Sequence, residues 1–146
     1  MTLHLLKLCV GCESIGDLEA WITERRAEAE RQGRAHEQTH TTRMVPKRGG
    51  EIAGAGSLYW VIKGQIACRQ PVLDLRPFTD AEGIGRCRIV LDPALVAVEP
   101  RPCRPFQGWR YLAAADAPRD LSRAAADGLA AMPEPMRREL AALGLL

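Results

Sequence analysis

Several familiar signatures are missing from this sequence. There is no nucleophile elbow, no phosphate-binding glycine loop and no paired metal-binding histidines, with three His in all. Those absences remove the commonest serine-hydrolase, P-loop and zinc-protease readings. No apolar run approaches the ~20 residues that a membrane helix needs. The N-terminal MTLHLLKLCVGC lacks a charged leader, and Lys7 interrupts its apolar run, so a secretory signal is not expected. The cytoplasm is the expected compartment, and no membrane partner is expected. Repeats, low-complexity tracts and linkers are absent as well.

Paired cysteines are also lacking. Five Cys, at 9, 12, 68, 87 and 103, are an odd and scattered set rather than a disulfide framework, which agrees with a reducing compartment. Cys9-Val-Gly-Cys12 has the spacing of half a zinc site, but no second close pair follows to close a tetrahedron. Small buried thiols are the simpler explanation, and neither a metal nor another cofactor is expected. The last absence is local: the stretch 38–50, QTHTTRMVPKRGG, contains no acid.

What is present fits one domain over residues 1–146, with ordinary globular values of 47% hydrophobic and 26% charged residues. A chain of this size buries about 68–70% of its unfolded surface without staples. The formal net charge of +2 is unevenly spread. Residues 1–37 hold five Lys/Arg against seven Asp/Glu, residues 38–111 eleven against six, and residues 112–146 four against five. The middle of the chain is therefore the electropositive part.

Residues 3–10 read as a buried strand, apolar on both faces. Ser14-Ile15-Gly16-Asp17 has the spacing of a capping box and opens a helix over about 15–32, with Leu18, Trp21, Ile22, Arg25 and Ala29 on one face and Gly33 as the stop. Between 57 and 112 the pattern becomes β: SLYWVIKG, QIACRQPVLDLRP, GRCRIVLDP, ALVAVEP and GWRYL are each bounded by Gly, Pro or Asp. Gly64 alone separates the first two and predicts a tight turn or a bulge. Arg86 and Arg88 alternate with Cys87, Ile89 and Leu91, so that strand has a cationic outer face. Alanine and leucine dominate thereafter and predict helices within about 116–143. The fold class is α+β: five or six short, mostly antiparallel strands, compatible with a small barrel, and helices at both ends of the chain.

Two segments gather polar groups without acids. One is 38–50, with His40, Thr41, Thr42, Arg43, Lys47 and Arg48. The other is 100–112, PRPCRPFQGWRYL, where Arg101, Arg104 and Arg110 interleave with Phe106, Trp109 and Tyr111. Guanidinium groups pair with phosphate and aromatic faces stack on bases, so both suit an anionic, base-bearing ligand. Plainer readings stand beside these: Trp109 and Tyr111 as core residues with Arg110 solvated opposite, 38–50 as a basic loop, and PRPCRP as a stiff connector. Lys63 ends the LYWVIKG strand, with Trp60 on the opposite face. It reads either as a solvated edge charge or, beside Thr41 or Thr42, as a proton acceptor.

LHLLKLCVGC, HTTRMVPKR, GSLYWVIKG, CRQPVLDLRPF, GIGRCRIVLDP and RPFQGWRYL together resemble the alphaproteobacterial family called domain of unknown function 1489, which carries no assigned activity. The resemblance covers nearly the whole chain. More loosely, HTTRMVPKR followed by LYWVIKG, and 89–105 leading to the last strand, resemble the PUA-like barrels, including the ASCH and EVE domains. Gly56-Ser57 stands here where those domains usually have Gly-Asp. That likeness implies a cleft for RNA, a modified base or a nucleotide-like ligand, and the clustering of cations, hydroxyls and aromatics makes His40, Thr41, Thr42, Arg43, Trp60, Lys63, Arg104, Trp109 and Arg110 the candidate face. The likeness also implies an alternative: an amidohydrolase-like reaction on a modified nucleoside using Lys63, Thr41 or Thr42, and Glu99. A protein-interaction module with a basic face is a third possibility.

Overall fold

A computed structural model describes residues 2–121 and 135–136. Among them the order is β1 (Leu3–Leu8), α1 (Ile15–Arg31), β2 (Gln38–Thr42), β3 (Ser57–Ile62), β4 (Gln65–Thr79), β5 (Gly85–Leu91), β6 (Val96–Pro102) and β7 (Trp109–Ala113). Short 3-10 turns occupy Gly49–Glu51 and Ala114–Asp116. The described chain is thus mostly β sheet with one long helix.

The helix begins where its capping box predicts. Ser14 Oγ accepts from the Asp17 N–H at 3.2 Å, and the Asp17 carboxylate accepts from the Glu13 N–H at 2.9 Å. It ends with the Arg34 N–H on the Ala29 carbonyl at 3.0 Å, the bond of a Schellman stop with Gly33 just past the end. Leu18, Ile22 and Ala29 are buried, whereas Trp21 keeps 42% of its surface exposed and Arg25 is exposed too. The inward stripe is therefore narrower than its periodicity predicts, and Trp21 and Arg25 stand at its margin.

The sheet runs β2-β5-β4-β3-β1-β7, with β6 on β4 beside this path. All pairs are antiparallel except β1 with β3, so the N-terminal strand is inserted between β3 and β7. Every residue of β3 is buried because both faces of the sheet are covered there. Leu58, Trp60 and Ile62 join one hydrophobic cluster, with Leu5, Leu18 and Ile89. Tyr59 and Val61 join another, with Leu6, Val98 and Leu112.

β4 links the two halves of the sheet. Gln65–Pro71 pairs with β3 and Val72–Thr79 pairs with β5, with a register shift between Val72 and Asp74. Near its start, Val61 faces Ile66 and Trp60 faces Cys68, so Ala67 is an extra, bulged residue. The expected barrel is not closed. β2 and β7, at the two ends of the sheet, share no ladder among the described residues. After Thr42 the chain passes Pro46, which has no N–H, and the Gly49–Glu51 turn, so β2 cannot extend toward β7. The expected C-terminal helix is corrected at its start as well: Asp116 closes a 3-10 turn, and Asp120 forms an extended bridge to Val98. Residues 122–134 and 137–143, which carry the rest of that helix and most of the short final one expected after it, lie outside the described residues. No described helix is long and apolar enough to cross a membrane.

Candidate functional site

The acid-free segment does meet the aromatic strand. The Met44 carbonyl accepts two hydrogen bonds, from the Trp109 indole Nε1 at 2.8 Å and from the Thr42 hydroxyl at 3.1 Å. The Arg48 backbone N–H donates to the Tyr111 hydroxyl at 3.2 Å, and the Arg48 guanidinium lies 5.8 Å from the centre of that ring. Arg48 also grips Glu51 through two bonds of 2.6 and 2.8 Å, which neutralises the acid that directly follows the segment. Pro46 is buried. The loop is thus anchored at both ends and in its middle. Arg43 and Lys47 remain exposed, beside Met44 at 67%, Val45 at 42% and Tyr111 at 38% exposure.

The other predicted residues divide. Trp109 and Tyr111 share one face of β7, in edge contact at 4.8 Å, and Trp109 packs on the cluster that holds Trp60. Arg110 lies on the opposite face, its guanidinium 4.6 Å from the centre of the Phe106 ring, where Leu112 joins the second cluster. Arg104 is exposed in the loop that leads there. Strand alternation therefore removes Arg110 from the Trp109 face. Lys63 does not end a strand. It has φ of 48° and, with Gly64 at 77°, makes the two-residue turn of the β3–β4 hairpin, while its ammonium sits 3.4 Å from Glu13.

The groups implied for an amidohydrolase contact separate partners. Lys63 is on Glu13, Thr42 donates to Met44, and Glu99 lies 3.6 Å from Arg119. Thr41 is exposed on β2. No observation draws these side chains into one reacting centre.

His40 turns inward instead. Its ring meets Trp60 edge-on at 5.2 Å, and Trp60 is itself fixed by donating to Gln70 Oε1 at 2.9 Å, while Gln70 Nε2 donates to the Asp92 carbonyl at 2.9 Å. Burial, and then the charges of Lys7 and Arg25, push the His40 pKa down to about 4, so the imidazole is neutral at neutral pH. Between α1, β1 and β2 this ring lines a cleft that no local motif announces, with Lys7, Trp21, Arg25 and Gln38 around it. Trp21 rests over Gly11, where a Cβ would lie 3.4 Å from the indole and φ is +84°. Of its residues, the sequence singles out His40 and Trp60 as candidate ligand contacts and places Trp21 and Arg25 on the inward face of α1.

Cys9 and Cys12 are buried next to it. Burial is the first cause that raises both thiols, with Cys68 also pushed up to about 12. Burial thus keeps these thiols in the protonated, unreactive form. No cluster of metal-ligating side chains occurs among the described residues.

No curated protein and no solved structure matches the chain. The likeness to PUA-like barrels thus rests on sequence alone. One family model, described as protein of unknown function (DUF1489), matches residues 5–146. With that match spanning almost its entire length, the chain belongs to the DUF1489 family.

Proposed function

We propose that the protein is a binding module for single-stranded RNA or a nucleotide-type ligand, which it engages over the 43–48 loop and β7. The observation that carries this reading is the convergence on the Met44 carbonyl, where Trp109 and Thr42 both donate. It sets the acid-free loop against an aromatic edge. Arg43 and Lys47 have no ion pair among the described residues and suit phosphates, while the partly exposed Tyr111 ring suits a base. A pinned loop loses less entropy on binding than a free one, so even a few contacts give measurable affinity. Arg110 faces away, over Phe106, and would contribute only long-range attraction, while Arg104 is exposed in the loop before β7.

The test is fluorescence anisotropy with a labelled single-stranded oligoribonucleotide over a salt series. Each phosphate contact on a single strand adds about 0.7 to the magnitude of the log K against log salt slope. Replacing both Arg43 and Lys47 with Ala should reduce that slope by roughly 1.4. Binding indifferent to salt and to both substitutions would refute the proposal. Recovery of a protein partner in place of RNA, after nuclease treatment, would move the basic face to protein recognition.

A further inference from the structure

Three polar atoms on and beside β2 are buried without a hydrogen-bond partner: His36 Nε2, Gln38 Oε1 and His40 Nε2. They belong to alternate residues, and Gln38 and His40, two apart on β2, share one face of that strand. Gln38 is only 4% exposed. Leaving a buried acceptor unpaired costs about 1–3 kcal/mol, so it calls for an explanation. The contrast with Gln70 is instructive. That amide is 0% exposed, yet both its ends are satisfied by Trp60 and Asp92. The fold completes the hydrogen bonding of one buried glutamine and not of its neighbour across the cleft.

Gln38 and His40 line an inner cleft of about 140 Å³, with Trp60 as its floor and Lys7, Arg25 and Trp21 around it. Arg25, Thr39 and His40 also line an adjoining outer cleft of about 490 Å³, which carries Glu28 and Glu37. The inner cleft has no acid. Its shape, with an aromatic floor and a small volume, suits one planar ring. Its chemistry asks for an N–H to meet Gln38 Oε1. A neutral His40 can accept a second N–H at Nε2 or donate from it, according to tautomer. Lys7 and Arg25 supply two positive charges nearby, and Arg25 is held toward β2 by its guanidinium on the Thr39 carbonyl at 3.5 Å.

We infer that this inner cleft is a binding site for a small planar heterocycle that carries ring N–H groups and one anionic substituent, carboxylate or phosphate. The ring packs against His40 and the exposed margin of Trp60 and donates to Gln38 Oε1, and the anion meets Lys7 and Arg25. The site stands apart from the RNA reading, since it uses neither Arg43 nor Lys47.

Isothermal titration of the full chain with orotate and with uridine monophosphate tests this, with inorganic phosphate as the control. At least one of the first two should bind saturably, and inorganic phosphate should bind much more weakly. Tighter binding of orotate assigns the carboxylate class, and tighter binding of the nucleotide the phosphate class. Gln38→Leu should weaken binding about tenfold, the loss of one buried hydrogen bond, while the melting temperature stays level or rises because an unpaired acceptor has been removed. Arg25→Ala, at the edge of the cleft, should weaken binding and flatten its salt dependence with little effect on folding. Failure of both ligands to bind at millimolar concentration overturns the inference. So does binding that is unchanged by both substitutions, or phosphate alone binding as tightly. A marked fall in melting temperature for Gln38→Leu would show that the amide is structural and would also overturn it. The Arg43→Ala, Lys47→Ala protein should bind these small ligands normally whatever its effect on RNA.

Discussion

The 43–48 loop and the α1–β2 cleft are opposite solutions to placing polar groups. In the loop the backbone is tied down, with Met44, Thr42 and Trp109 sharing hydrogen bonds, while the charged ends of Arg43 and Lys47 face water. In the cleft the charged ends stand at the edge, and polar atoms of Gln38 and His40 are withdrawn from water without partners. An exposed cation costs little and does little for stability, and its affinity for phosphate is long-range and screened by salt. A buried unpaired amide costs stability and is specific to what completes it. In the first region, removing a cation should therefore cost affinity for phosphate and little stability; in the second, removing an unpaired polar atom should cost affinity, and only loss of the packing beneath it should cost much stability.

The largest effect that would separate the two regions is at Trp60, which is 4% exposed beneath His40. Trp60→Ala removes a core ring and strands the Gln70 amide, so urea denaturation should show a loss of about 3–5 kcal/mol. A loss below about 1 kcal/mol would mean that the cleft has no rigid floor, and the comparison would fail.

How much of this was legible beforehand follows the range of the forces involved. α1 was readable because Ser14, Asp17 and Gly33 act within a few residues of their own helix. β5 was readable because Arg86, Cys87 and Arg88 alternate over a half-covered strand, and Cys87 is indeed buried. β2 was not, because QTHTT has no apolar alternation and owes its strand form to pairing with β5 more than 40 residues later. The loop–β7 contact was half legible: composition marked both segments, but parity along β7 put Arg110 on the far side from Trp109. The cleft was legible only in His40 and Trp60, which sequence reasoning assigns to a different site. Lys7, Trp21 and Gln38 come from three elements, and Trp21 at helical spacing reads as core until the packing leaves it at 42% exposure.

Acid should act on the cleft next most strongly. His40 has its pKa lowered from 6.5 to about 4 by burial first, then by Lys7 and Arg25. A lowered histidine contributes its full stability above 6.5, and that contribution is lost as the pH falls toward 4, because the unfolded chain takes up the proton first. The limit is about 3 kcal/mol, reduced to the extent that water reaches the ring. His4 shifts in the same direction, through burial and Arg69, so the wild type must be compared with His40→Leu. Denaturation of the two between pH 7 and 4.5 should give a shallower pH slope for the variant. Parallel slopes would remove His40 from the buried set.

Trp109→Phe probes the anchor of the loop. It keeps the ring on the core cluster and deletes the 2.8 Å bond to Met44. A net loss of about 1 kcal/mol is expected, since the Thr42 hydroxyl still donates to the same carbonyl. Amide exchange should quicken in 43–48 and not in α1. Faster exchange in both would mean that loop and cleft are one mechanical unit.

The smallest stability effect is expected at Lys47, and there the comparison is sharpest. Lys47 is exposed and makes no ion pair among the described residues, so Lys47→Ala should change stability by less than about 0.5 kcal/mol. Arg48 next to it is a different case. It holds Glu51 through two bonds and lies over Tyr111, so Arg48→Ala releases a carboxylate into the loop and loosens the loop itself. An exposed pair of this kind is worth roughly 0.2–1 kcal/mol, which makes Arg48 the more structural of two adjacent cations. Binding should rank them the other way. Lys47→Ala removes a cation that is free to meet phosphate and should lower the salt slope for RNA by about 0.7 with the melting temperature unchanged. Arg48→Ala removes a cation already neutralised by Glu51 and should leave that slope nearly intact while lowering the melting temperature slightly. If the two substitutions exchanged these signatures, Glu51 would not be the partner that silences Arg48, and the phosphate path would have to be redrawn through Arg48 and the face of Tyr111.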